Sequence, residues 1–109
     1  MKILVCDDEP LARERLSRMV QDAGHTVVAQ AINGLDALEK VRQYQPDILF
    51  LDVRMPEMDG IRCAEALSRI ENPPAVIFVT AFDQHAIDAF RTQAIGYLLK
   101  PVNRNDLTE

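Results

Sequence analysis

Apolar residues cluster in five short unbroken runs: Ile3 to Cys6, Val27 to Ala29, Ile48 to Leu51, Ala75 to Val79, and Tyr97 to Leu99. Within each run the side chains do not alternate with polar ones. That pattern predicts strands covered on both faces, as in a parallel sheet. The runs start about 20–30 residues apart, room for one strand, one helix and two short turns.

Helical periodicity fills the gaps. Leu11, Ala12, Leu16, Met19, Val20 and Ala23 are expected on one apolar stripe, with Arg13, Arg15 and Arg18 on the other side. Pro10 suits the first helical position and Gly24 the stop. Asn33 is expected to cap a second helix carrying Leu35, Leu38 and Val41, which Pro46 keeps from continuing. Asp59 caps a third helix through Ile61, Ala64 and Leu67, ending before Pro73 and Pro74. Asp83 caps a fourth through Ala86, Phe90 and Ala94. The chain reads βαβαβαβαβ with a stub of helix after Pro101, an open α/β sheet flanked by helices. Five strands leave two leading orders, of which 2-1-3-4-5 puts a switch point between the first and third strands. Right-handed crossovers then set the first and last helices on one face and the middle three on the other.

At 109 residues the chain is one domain, long enough for a single core without crosslinks. Its 48% apolar and 27% charged fractions fit a soluble globular fold. Cys6 and Cys63 are too few for a disulfide scaffold. No segment has the form of a secretory signal or a membrane span, so the expected location is cytoplasmic. With 12 Lys and Arg against 17 Asp and Glu, the net charge of −5 excludes direct binding of this domain to nucleic acid.

The chemistry gathers where parallel sheets bind ligands, at the carboxyl ends of the strands. The first run closes in Asp7 and Asp8, the third in Asp52, the fourth in Thr80 and the fifth in Lys100. Three carboxylates meeting at a switch point repel one another and call for a hard cation with oxygen ligands, Mg²⁺ above all. A cation, an ammonium and a hydroxyl around a carboxylate form a phosphoryl-transfer site in which that carboxylate is the nucleophile.

These residues in this order resemble the receiver domain of bacterial two-component response regulators. The likeness covers the whole chain and rests on linked motifs: Val5 to Pro10, Leu51 to Gly60, Thr80-Ala81, and Tyr97 to Pro101. It implies a flavodoxin-like, doubly wound five-stranded parallel sheet in the order 2-1-3-4-5. It implies that Asp52 accepts a phosphoryl group from a sensor histidine kinase. It also implies Mg²⁺ ligated by Asp8, Asp52 and the backbone carbonyl of Arg54, with Asp7 acting through water. Thr80 and Lys100 are expected on the phosphoryl oxygens, Tyr97 as the aromatic that follows Thr80, and Lys100-Pro101 as a cis peptide. A finer likeness, in Glu9 to Leu16 and in the Thr80 to Phe90 stretch, is to receivers joined to LytTR-type DNA-binding output domains.

Plainer roles compete for the same residues. Asp7 and Asp8 also suit the cap of the helix that starts at Pro10. Thr80 and Lys100 suit strand ends, and Tyr97 suits core packing. Cys6 and Cys63 are expected as small buried packing residues. A different function class, a Mg²⁺-dependent small-molecule phosphatase or phosphotransferase, also uses an aspartate nucleophile. Such enzymes place a second acid two residues on, where this chain has Arg54. The domain is therefore expected to be a phosphoacceptor rather than an enzyme, limited to self-phosphorylation from small donors and self-dephosphorylation. Residues 102–109 hold too few apolar side chains for a full last helix, so that helix is expected to be truncated and the output domain to lie outside this chain. Ile87, off the stripe of the fourth helix, suggests a homodimer through that helix and the fifth strand.

Overall fold

A computed structural model describes residues 1–52, 60–80 and 96–99, with side chains over 1–52 and 62–79. The elements run β1 (Lys2–Cys6), α1 (Pro10–Asp22), β2 (Thr26–Ala31), α2 (Gly34–Tyr44), β3 (Ile48–Asp52), α3 (Gly60–Leu67), β4 (Ala75–Thr80) and β5 (Gly96–Leu99). The five strands form one sheet in the order β2-β1-β3-β4-β5, and all four pairings are parallel. Each expected apolar run is a strand of this sheet, and the expected order is the observed one. The register of β1 on β2 slips between Ile3 and Leu4, a bulge that passes over Val28. The fourth helix with Ile87, the Asp59 cap, the Lys100-Pro101 bond and the last helix lie outside the described residues.

The sheet separates two cores. On one side Ile3, Val5, Phe50 and Val79 pack against Leu16, Met19 and Val20 of α1. On the other, Leu4, Cys6, Leu49, Leu51, Val76 and Phe78 pack against Ala37 and Val41 of α2 and Cys63, Ala64 and Leu67 of α3. Adjacent strand residues point to opposite faces, so the runs of β1, β3 and β4 are apolar throughout because both of their faces are covered. This is the expected split, with α1 on one face and α2 and α3 on the other.

The helix ends follow local chemistry. Pro10 opens α1, and Gly24 turns the chain beyond its end at φ +96°, a conformation that suits a residue without Cβ. Asn33 caps α2 by accepting a hydrogen bond from the Asp36 backbone N–H at 2.8 Å. The end of α2 is marked by Gln45 in the left-handed region, just before Pro46.

Two stripes differ from expectation. Leu11 is 81% exposed and Leu35 is 53% exposed, so neither joins the core. At about 100° per residue, Leu11 stands about 140° from Leu16 around α1, and Leu35 about 120° from Val41 around α2. The buried row of α2 is instead Gly34, Ala37 and Val41. The same arithmetic puts Arg13 only about 60° from Leu16, at the border of the buried face rather than opposite it.

Candidate metal and phosphoacceptor site

Parallel register brings the acidic residues together. Cys6 stands opposite Leu51 in the β1–β3 ladder, so Asp7 and Asp52 follow at neighbouring strand ends. Asp8 comes next in the turn to α1. Ligand oxygens of Asp7, Asp8 and Asp52 all lie within 4.8 Å of one another. Asp7 is 3% exposed and Asp52 6%, while Asp8 faces solvent. The sequence expected these three residues to meet, and they do.

Asp7 is held through its backbone N–H, its side chain and its carbonyl. Its backbone N–H donates to the Ala31 carbonyl on β2 at 3.1 Å. Its Oδ1 accepts from the Glu9 backbone N–H at 2.9 Å. Its own carbonyl accepts from Arg13 Nη1 at 2.9 Å. The competing cap reading is therefore met only in part. Glu9 is the residue at the cap position of α1 and makes no side-chain cap bond, whereas Asp7 turns the chain two residues earlier.

Electrostatics set what this arrangement does. Two carboxylates at 4–5 Å repel by about 3–4 kcal/mol at an effective dielectric near 20, and three compound the cost. A divalent cation removes that cost. Among the described residues the donor set is oxygen only, the nearby Cys6 thiol donating instead to the Asn33 carbonyl at 3.4 Å. Burial above all, then the Cys63 thiol and the Asp7, Asp36 and Asp52 carboxylates, push the Cys6 thiol far above the usual cysteine range. Three carboxylates as the donors suit a hard cation such as Mg²⁺. An exposed Asp8 beside two buried acids leaves one side of the cluster open to solvent and to a reactant.

Thr80 ends β4, and Tyr97 lies on β5 beside Phe78, with Thr80 opposite Leu99. Their strands run to the same end of the sheet as Asp52, which pairs with Val79. Their side chains, with Arg54 and Lys100, lie outside the described residues. Arg13, which bonds the Asp7 carbonyl, was not among the expected site residues, and its angular position on α1 was the signal that placed it near them.

Known proteins bear on this geometry. Residues 3–109 match the family model described as the response regulator receiver domain. The chain is 51% identical over its full length to the positive alginate biosynthesis regulatory protein of Pseudomonas aeruginosa, covering 45% of that protein. It is 38% identical, again over its full length, to sensory transduction protein LytT of Bacillus cereus, covering 45% of it. The chain thus spans about half the length of these curated relatives. Among solved structures, it resembles the response regulatory domain of protein mrkE from Klebsiella pneumoniae. The TM-score is 0.89 at 32% identity, over 99% of this chain and 89% of that one. It also resembles the structure of a CheX-CheY-BeF3-Mg complex from Borrelia burgdorferi, with a TM-score of 0.91 at 26% identity over 98% of this chain and 83% of that one. The carboxylate cluster at the sheet's switch point and the full-length match together establish that the chain belongs to the response regulator receiver domain family.

Proposed function

We propose that this receiver accepts a phosphoryl group on Asp52 from a sensor histidine kinase and relays it to an output domain. The observation that carries the reading is the meeting of Asp7, Asp8 and Asp52 within 4.8 Å, two of them buried. Asp52 supplies the nucleophile: one carboxylate oxygen forms the new bond to phosphorus as the bond from phosphorus to the donor's imidazole nitrogen breaks. Asp8, Asp52 and the Arg54 carbonyl would hold Mg²⁺, with Asp7 acting through water. When bound, the ion supplies neutralisation of the charge that the acids and the phosphoryl oxygens bring together. Asp7 orients the site from its buried position, and Thr80 and Lys100 hold the phosphoryl oxygens. The Borrelia burgdorferi complex that this chain resembles contains Mg²⁺ and trifluoroberyllate, a tetrahedral likeness of a phosphoryl group, which supports an ion and a phosphoryl group as the occupants of this site.

The Thr80 hydroxyl shifts toward the phosphate and Tyr97 follows, altering the surface of the fourth helix and β5. A homodimer through that surface is the expected response. The output domain is of LytTR DNA-binding type, a reading supported by the two-fold greater length of the relatives and by the name LytT among them. Membership of the receiver family supports a cytoplasmic location, and among the described residues no helix is long and apolar enough to cross a membrane. Membership of the receiver family favours signalling over a small-molecule phosphatase. The test is incubation with acetyl phosphate and Mg²⁺, with Asp52→Asn and EDTA as controls. One phosphoryl group should be gained by the parent and none in either control. Equal labelling of Asp52→Asn would remove that residue from the role.

A further inference from the structure

We propose that Arg13 is a positioning residue for the metal-binding carboxylates, acting through the backbone of Asp7 while braced on Gln30. The inference rests on the proposed function above. From the first turn of α1, Arg13 Nη1 donates to the Asp7 carbonyl at 2.9 Å and Nε donates to Gln30 Oε1 on β2 at 3.1 Å. Its own backbone is fixed at both ends of the turn. The Arg13 N–H donates to the Glu9 carbonyl at 3.0 Å, and its carbonyl accepts from the buried Ser17 hydroxyl at 2.8 Å. Gln30 is fixed in turn by Lys40 of α2, whose Nζ donates to the Gln30 carbonyl at 2.6 Å. Because the Asp7 N–H bonds to Ala31, the residue after Gln30, a closed circuit links β1, α1 and β2.

The peptide that Arg13 grips is the one joining Asp7 to Asp8. Rotating that peptide would swing the Asp8 carboxylate relative to Asp7 and Asp52, so the guanidinium fixes the angle at which the exposed acid meets the two buried ones. Groups that orient metal ligands without touching the metal commonly change metal affinity by about 10–100-fold when removed. A lysine offers one point charge and does not reproduce a fork that meets two acceptors at once.

Charge and positioning predict opposite signs, which makes the proposal testable. Removing a cation beside three carboxylates should, by charge alone, tighten Mg²⁺ binding. Losing the clamp should weaken it. The measurement is Mg²⁺ affinity by isothermal titration calorimetry, with circular dichroism to establish folding, on the parent, Arg13→Met, Arg13→Lys and Asp8→Ala. The expected result is Mg²⁺ binding about tenfold weaker in both Arg13→Met and Arg13→Lys. Unchanged or tighter binding in Arg13→Met, or full restoration by Arg13→Lys, overturns the proposal. Should Arg13→Met not fold, Gln30→Leu decides: weakened binding supports the clamp and unchanged binding overturns it. A parent that binds Mg²⁺ through Asp8 but is indifferent to these changes removes this inference alone. A parent that binds no Mg²⁺, or binds it equally as Asp8→Ala, removes the proposed function and this inference with it.

Discussion

Asp7 and Asp52 leave adjacent parallel strands at the same level, one residue beyond the paired Cys6 and Leu51, and both are buried there. No variation in loop conformation is needed to bring them together, because the ladder itself sets their separation. Two buried acids at that spacing, with Asp8 beside them, store repulsion that the rest of the fold must offset.

That stored repulsion predicts stability changes of unusual sign. Asp8→Ala or Asp52→Asn should raise the Tm of the metal-free protein by about 4–8 °C, the shift that about 1 kcal/mol produces in a domain of this size. Mg²⁺ should raise the Tm of the parent by mass action and the Tm of either variant much less. Differential scanning calorimetry with and without Mg²⁺ measures both effects, and an equal Mg²⁺ response in all three would place the ion elsewhere.

Cys6 gives the fold an alkaline limit. Burial, with Cys63 and the nearby carboxylates adding to it, holds the thiol protonated in the folded state, whereas in the unfolded chain it ionises near pH 8.5. A folded pKa raised above the unfolded one stabilises fully below about pH 8.5, and that contribution is lost progressively as pH rises further. Stability measured by urea unfolding should therefore fall above about pH 8.5, and less steeply in Cys6→Ala. At neutral pH, Cys6 should resist iodoacetamide until the chain is unfolded.

The two leucines of α1 have opposite surroundings. Leu16→Ala should cost about 2–5 kcal/mol, since Leu16 packs with Ile3, Val5 and Phe50 beneath the sheet. Leu11→Ala should change stability by no more than about 0.5 kcal/mol, because that side chain lies in solvent. Chemical denaturation of the pair checks which face of α1 is buried.

On α2 the Asn33 side chain holds the Asp36 N–H. Asn33→Ala should cost about 1 kcal/mol, and Asn33→Ser much less, since serine also accepts that bond. The urea midpoints of the two variants give the comparison.

The strands were legible because a sheet covered on both sides makes unbroken apolar runs, and these runs are too short for buried helices. Order 2-1-3-4-5 was harder: periodicity left two topologies, and the likeness to receivers chose between them. Asp7, Asp8 and Asp52 could be read as one cluster because parallel strands align their ends, so position in a run predicts position in space. Helix faces were read less well. Counting Leu11 and Leu35 as apolar put them in a stripe that their angles exclude, and counting Arg13 as charged put it in solvent. The half-buried guanidinium bonds both Asp7 and Gln30, the latter on a strand 17 residues away, a partner that helical spacing alone does not reveal.

On the proposed function, the carboxylate cluster makes Asp52 the phosphoacceptor. Its most direct test is peptide mapping by mass spectrometry of the parent after incubation with acetyl phosphate and Mg²⁺, the acyl phosphate first being reduced with borohydride to fix its position. One modified residue is expected, Asp52, with the modification missing when EDTA is present. Modification at Asp7, at Asp8 or outside the cluster, or labelling that persists without a divalent cation, would contradict it.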